Sequence, residues 1–283
     1  MRKVLYVSLI LCIAVLLYAG CKNKTRDASI PLSIFRVTYS DADQGGTVNA
    51  GDQLFIQFDR HVTVVTSNAV AFVFELASVS DDFGTGATWV HTSGHAVTVT
   101  LGTGAALTVD GSDIITSQIR FSETIPFGAI RDAAWLTSVG GGGFYVSMEG
   151  RLGYAAPILL SAIYDDVDVS GTLTENDTIT LTFTGAVSTY VGNYWPWLTF
   201  IVPVNWDNLG TGAFALQTDV DEITITIGSG NPDLQIPGTH TVGNYVGTAP
   251  SGIDIAISMP AARITFDAGG VDINVPPTAV DIQ

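Results

Sequence analysis

After residue 26 the apolar positions of this 283-residue chain alternate with polar ones, and no 3.6-residue stripe develops. A period of two marks a strand with one face buried. Ser33 to Tyr39 reads as a first strand. Gln53 to Phe58 sets Leu54, Ile56 and Phe58 on one face and Gln53, Phe55 and Gln57 on the other. Ala69 to Leu76 is an almost unbroken apolar run, the pattern of a fully buried strand. Gly84 to His91 and His95 to Leu101 predict a hairpin turning on Thr92-Ser93-Gly94. Residues 105–117 are loop-rich, and Gln118 to Ser122 is a further short strand. Gly140 to Gly143 interrupt the chain before a last strand, Phe144 to Met148.

The same order of elements then begins again. Tyr39 to Phe58, YSDADQGGTVNAGDQLFIQF, returns as Tyr164 to Phe183, YDDVDVSGTLTENDTITLTF, with seven of 20 positions identical. The shared pattern, Y-x-D-x-D-x-x-G-T-x-x-x-x-D-x-x-x-x-x-F, reads as strand, acidic turn, strand. The correspondence continues: Gly84-Thr85-Gly86-Ala87 matches Gly210-Thr211-Gly212-Ala213, and Val97 to Gly102 matches Ile223 to Gly228. A nearly constant offset over such a length indicates a duplicated unit. Each unit holds roughly seven short strands between Gly, Asn, Asp and Pro turns, which predicts an antiparallel sandwich around an apolar core. The fold expected is all-β: two tandem antiparallel β-sandwich domains, residues 30–153 and 154–275. In strand count and turn spacing they resemble the Ig-like and cadherin-like modules found in tandem on bacterial surfaces. The Cys and Trp core markers of true immunoglobulin domains are missing.

The first residues read differently. Arg2 and Lys3 precede an apolar run, Val4 to Leu17, as in a secretory signal. Tyr18-Ala19-Gly20-Cys21 then resembles a bacterial lipobox, with Tyr18 where Leu is usual. The resemblance implies a signal peptide, 1–20, and lipid on Cys21 at the head of a polar tether, 21–29. The run is short for a spanning helix. The only other cysteine, Cys12, leaves with the signal, so the mature units carry no disulfide. Lys22 is not the Asp that marks inner-membrane retention in enterobacterial lipoproteins, which points to the outer membrane or cell surface.

Charge narrows the partners. Asp and Glu number 27 against 11 Lys and Arg, and no lysine follows Lys24. Nucleic acid is excluded, because phosphate binding needs clustered basic residues.

Four groups of residues carry candidate chemistry. Asp41, Asp43 and Asp52 recur as Asp166, Asp168 and Asp177. Carboxylates two apart followed by Gly46 or Gly171 resemble the opening of a calcium loop, although no bidentate Glu stands at the twelfth position. A bound Ca2+ would be structural; the alternative is Asp capping turns through backbone N–H groups. Tyr39 and Tyr164 read as packing residues. Tyr190, Tyr194, Trp195 and Trp197, with Trp206 beyond, form the densest aromatic cluster, a platform for sugars or a half-buried strand. His91 and His95 flank a turn but fall short of a zinc ligand set. The tail, 276–283, repeats the proline and short apolar strand that open each unit. It is a frayed end, a final strand of the second unit, or a spare strand for another molecule's sheet edge. No nucleophile elbow or P-loop lysine occurs, so Gly84 to Ala87 is not a phosphate cradle.

The expectation is a non-enzymatic, lipid-anchored protein of the bacterial cell envelope with a structural, adhesive or surface-assembly role. One alternative is a carbohydrate- or ligand-binding lipoprotein using Tyr194, Trp195, Trp197 and Trp206, with a protein or glycan as partner. Another is a fibre subunit that assembles through its C-terminal strand.

Overall fold

The alternating segments form strands in the described residues, which in this computed structural model are 32–133, 141–189, 200–201, 208–234, 236, 252–255 and 264–283. Cys21, the signal and tether lie outside them, as do Tyr190, Tyr194, Trp195, Trp197 and Trp206. The strands of the first repeat are β1 (Ile34–Ser40), β2 (Gln53–Phe58), β3 (Val62–Val64), β4 (Phe74–Leu76), β5 (Thr88–Ser93), β6 (Ala96–Thr100), β7 (Gln118–Phe121), β8 (Ile130–Asp132) and β9 (Gly142–Glu149). The second repeat contributes β10 (Leu159–Asp165), β11 (Thr178–Phe183), β12 (Ser188–Thr189), β13 (Phe200–Ile201), β14 (Phe214–Asp219), β15 (Glu222–Thr226), β16 (Gly252–Ile255), β17 (Ile264–Asp267), β18 (Asp272–Asn274) and β19 (Ala279–Asp281).

The duplication is carried into register. β1 pairs antiparallel with β2, Thr38 opposite Phe55; β10 pairs with β11, Ile163 opposite Thr180. Each pair breaks register at the equivalent place, around Phe35 and around Leu160. The order β1-β2-β6-β5 is repeated as β10-β11-β15-β14. β11, TITLTF, buries Ile179, Leu181 and Phe183 and turns its threonines outward, as alternation requires. β2 departs from that rule. Phe55 and Gln57 are as buried as Leu54 and Ile56, so both of its faces are covered.

The buried apolar side chains fall into two clusters. One draws on residues from Leu32 to Met148, the other on residues from Ala156 to Ile282. In the first, Phe58 of β2 stacks on Phe121 of β7 at 5.9 Å, and Phe74 of β4 lies against Phe121 and Trp89. These strands are members of a single seven-stranded sheet, β4-β7-β9-β1-β2-β6-β5. A sheet whose distant strands meet over one core must curl around it. The antiparallel rule also fails at one seam, since β9 runs parallel to β1, with Val37 opposite Met148.

Two local readings are corrected. Ala69 to Leu76 is not one strand: Val70–Val73 forms a helical turn, α1, and only Phe74 to Leu76 pairs, with β7. An apolar run alone does not separate a buried strand from a buried turn of helix. Here Val70 and Val73, three apart, are buried while Phe72 points outward. The hairpin turns later than the pattern indicated, on Gly94-His95, because Ser93 still pairs with Ala96. Gly84 to Ala87 precede β5 as a tight crossing. The tail is a strand of its own repeat: β19 pairs with β16, and buried Ile282 bridges Ala162 of β10 in parallel.

Candidate functional site

The acidic motif forms the arch between the first two strands of each repeat. The sequence folds this way because Asp side chains take up the N–H groups that a tight turn leaves without partners. In the first arch Asp41 accepts N–H bonds from Gly45 (3.1 Å) and Gly46 (2.9 Å). Asp43 accepts from Gly45 and from the Asn49 amide. Asp52 accepts from Ala42 (3.0 Å), Asn49 (2.9 Å) and the Tyr39 hydroxyl (2.7 Å). The second arch repeats the scheme. Asp166 accepts from Ser170 and Gly171, Asp168 from Ser170 and the Thr174 hydroxyl. Asp177 accepts from Val167, Thr174 and the Tyr164 hydroxyl (2.7 Å). Gly46 and Gly171, at φ of 72° and 73°, turn the corner as their sequence position suggested.

Burial sets the electrostatics. Tyr39 and Asp52 are both fully buried. Burial, reinforced by the bond to Asp52, pushes the Tyr39 phenol far above its ordinary value, and Tyr164 follows for the same reasons. Burial also raises the Asp52 carboxyl, against the bonds from Tyr39, Asn49 and Ala42 that favour its charge. Asp43 is held below the usual carboxylate range, first by the Gly45 N–H. Asp168 is held below it first by the Ser170 hydroxyl. Each Tyr therefore stays protonated and donates to a carboxylate oxygen, Tyr39 to Asp52 in a fully buried bond and Tyr164 to Asp177 in a partly buried one.

In each arch three carboxylates each present an oxygen within 4.8 Å of the others: Asp41, Asp43 and Asp52, then Asp166, Asp168 and Asp177. Such a set is chemically suited to a hard cation, which takes six to eight oxygens. The oxygens are already engaged, however. Asp41 and Asp52 accept three donors each, close to the roughly four that a carboxylate accommodates. What the arrangement does in the folded chain is to fix the backbone of the arch.

In the first repeat it also fixes something farther away. Asp41 Oδ2 accepts the Gly153 N–H at 2.7 Å, and the Asp41 N–H donates to the Tyr154 carbonyl. The neighbouring Ser40 hydroxyl accepts the Ala156 N–H at 2.9 Å. These three are residues of the connector between the repeats. Two longer reaches reinforce them. The Arg151 guanidinium donates to the carbonyls of Ala268 and Gly269, and the Asn274 amide donates to Glu149. Leu32 to Gln283 is accordingly one compact unit. No local pattern marks Ser40, Arg151, Gly153 or Ala156, whose partners lie more than 100 positions away.

The remaining candidates are placed as follows. His95 lies edge-on to His61, ring centroids 4.1 Å apart, and the His61 ring covers Gly94. Burial lowers the pKa of both His61 and His91. The GTGA strings make the tight crossings: Thr85 bridges Thr103 and Thr211 bridges Ser229. Among the described residues no helix is long and apolar enough to cross a membrane. Compared with protein-family models and with curated proteins, the chain matches none.

Proposed function

We propose that the chain is a non-enzymatic, lipid-anchored envelope protein in which two Ig-like modules act as a stiff spacer with a structural, adhesive or surface-assembly role. The observation that carries this reading is the use made of the acidic motif. Its carboxylates are acceptors for backbone N–H groups, and Asp41 spends one of them on the connector at Gly153. A motif spent on holding strands and modules in place is an architectural one. The lipobox-like Cys21 and the Lys-poor acidic composition support the address.

The test is mechanical coupling. Asp41→Ala removes the acceptor for Gly45, Gly46 and Gly153. Loss of a buried multiple acceptor costs about 1–3 kcal/mol. Differential scanning calorimetry is expected to show one transition in the parent protein and two in the variant. Two transitions already present in the parent would sink the stiff-spacer reading.

A structural Ca2+ in one or both arches is favoured by the 4.8 Å grouping of their carboxylate oxygens. The ligand-binding alternative rests on Tyr194, Trp195, Trp197 and Trp206. For it, tryptophan fluorescence titrated with glycans is the direct measurement.

A further inference from the structure

The two acidic arches are built alike and surrounded differently. In the first, the segment that leaves the parallel strand β9 runs over the arch. A Cβ placed on Gly150 would come within 2.6 Å of the Tyr39 Cβ, and Gly153 and Tyr154 bond to Asp41. In the second, the parallel neighbour of β10 is Ile282, which bridges Ala162 as Met148 pairs with Val37. The Tyr164 N–H donates to the Gln283 carbonyl. Asp166 thus stands to the Ile282 strand as Asp41 stands to β9.

The surroundings of Asp166 are more apolar than those of Asp41. Thr38, Ala42 and Gln44 of the first repeat correspond to Ile163, Val167 and Val169 of the second. Ile163 is 51% exposed where Thr38 is 1% exposed, whereas Val167 and Val169 are exposed just as Ala42 and Gln44 are. Val169 also holds a φ of 55°, a conformation that a β-branched residue resists and that Gln44 takes with less strain. Exposed apolar side chains gathered around a hydrogen-bonding anchor mark an interaction surface.

We propose that the Asp166–Gly171 arch, with Ile163 and Tyr164, is a docking surface for the connector of a further β-module. That connector is a glycine-bearing extended segment of the same chemistry as Gly150 to Ala156. Its leading glycine lies against the Tyr164 ring, and an N–H three residues on donates to Asp166 Oδ2. The following carbonyl accepts the Asp166 N–H, and Ile163 is covered as its counterpart Thr38 is in the first repeat. The recognition is of backbone, as when strands add to a sheet edge, with glycine demanded where the ring passes.

This rests on the role assigned to Asp41, and the experiment separates the two. The full-length protein is extended after Gln283 by Gly-Arg-Leu-Gly-Tyr-Ala-Ala, the sequence of residues 150–156, and compared with a scrambled extension of equal composition. Tethering keeps the segment at millimolar effective concentration. Exchange of the Asp166 amide hydrogen is expected to slow about tenfold or more with the native order only. The melting midpoint is expected to rise by about 2 °C or more. Asp166→Ala in the extended protein is expected to return the midpoint to that of the scrambled form. Equal Asp166 exchange and equal midpoints in the two extensions overturn the docking proposal. The Asp41 amide is read in the same spectra. If it exchanges as freely as an open turn, the role assigned to Asp41 is what fails.

Discussion

At the scale of the residue, the most consequential pair is Tyr39 with Asp52. The phenol packs in the core, and its hydroxyl also donates to a fully buried carboxyl group, favouring its charged form against the cost of burial. Tyr39→Phe keeps the ring and removes that donor. We expect a loss of about 1–3 kcal/mol in urea unfolding, the cost of leaving a buried acceptor short of a partner. Tyr164→Phe is expected to cost less, because Tyr164 is only partly buried and water can replace the lost bond. The histidines supply a pH dependence. Burial lowers His61 and His91, the charge of His91 adding to the effect on His61 and Asp132 opposing it. A His whose folded pKa lies below its unfolded value binds its proton more readily when unfolded. Stability therefore rises with pH through this window and is lost as pH falls from 6.5 through the folded values. Melting midpoints between pH 7 and pH 5 are expected to fall in the parent protein and to fall less in His61→Gln with His91→Gln.

At the scale of the element, the repeated glycines show which turns are specified sterically. Gly84 has a φ of 84°, and a Cβ on it would stand 2.3 Å from the Gly102 carbonyl oxygen. Gly210 and Gly228 reproduce this crossing at 2.4 Å. Two backbones pass where no side chain fits. Gly86, at φ 81°, faces open space. Gly84→Ala is expected to destabilise by more than about 2 kcal/mol, adding a backbone clash to the conformational strain. Gly86→Ala is expected to cost only about 1 kcal/mol. Similar melting curves for the two variants would contradict the crossing. At this scale α1 and a strand share one sequence pattern. Val70 to Leu76 is apolar at nearly every position, so its spacing cannot discriminate, and the choice falls to the core that Val70, Val73 and Phe74 fill.

At the scale of the whole molecule, the arches, the connector and the parallel strands make one continuous body from two copies of a unit. The cation question belongs here, since an ion bound only by the folded chain must raise stability by mass action. If either arch holds Ca2+, millimolar calcium is expected to raise the melting midpoint and EDTA to lower it. An unchanged midpoint leaves both arches as hydrogen-bonded turns.

The chain by itself determined its all-β character, its duplication and the two acidic arches with their positive-φ glycines. Those are local properties: alternation at period two, side-chain capping of a turn and the steric freedom of glycine act over a few residues. Only the tertiary structure decided that β9 runs parallel to β1 and Ile282 bridges β10 in parallel, that the first sheet curls around its core and that β2 is buried on both faces. It alone decided that Asp41 reaches a connector 112 residues away. Contacts at that separation leave no periodic trace in the sequence, because nothing in the spacing of two distant residues records which of their backbone groups will meet.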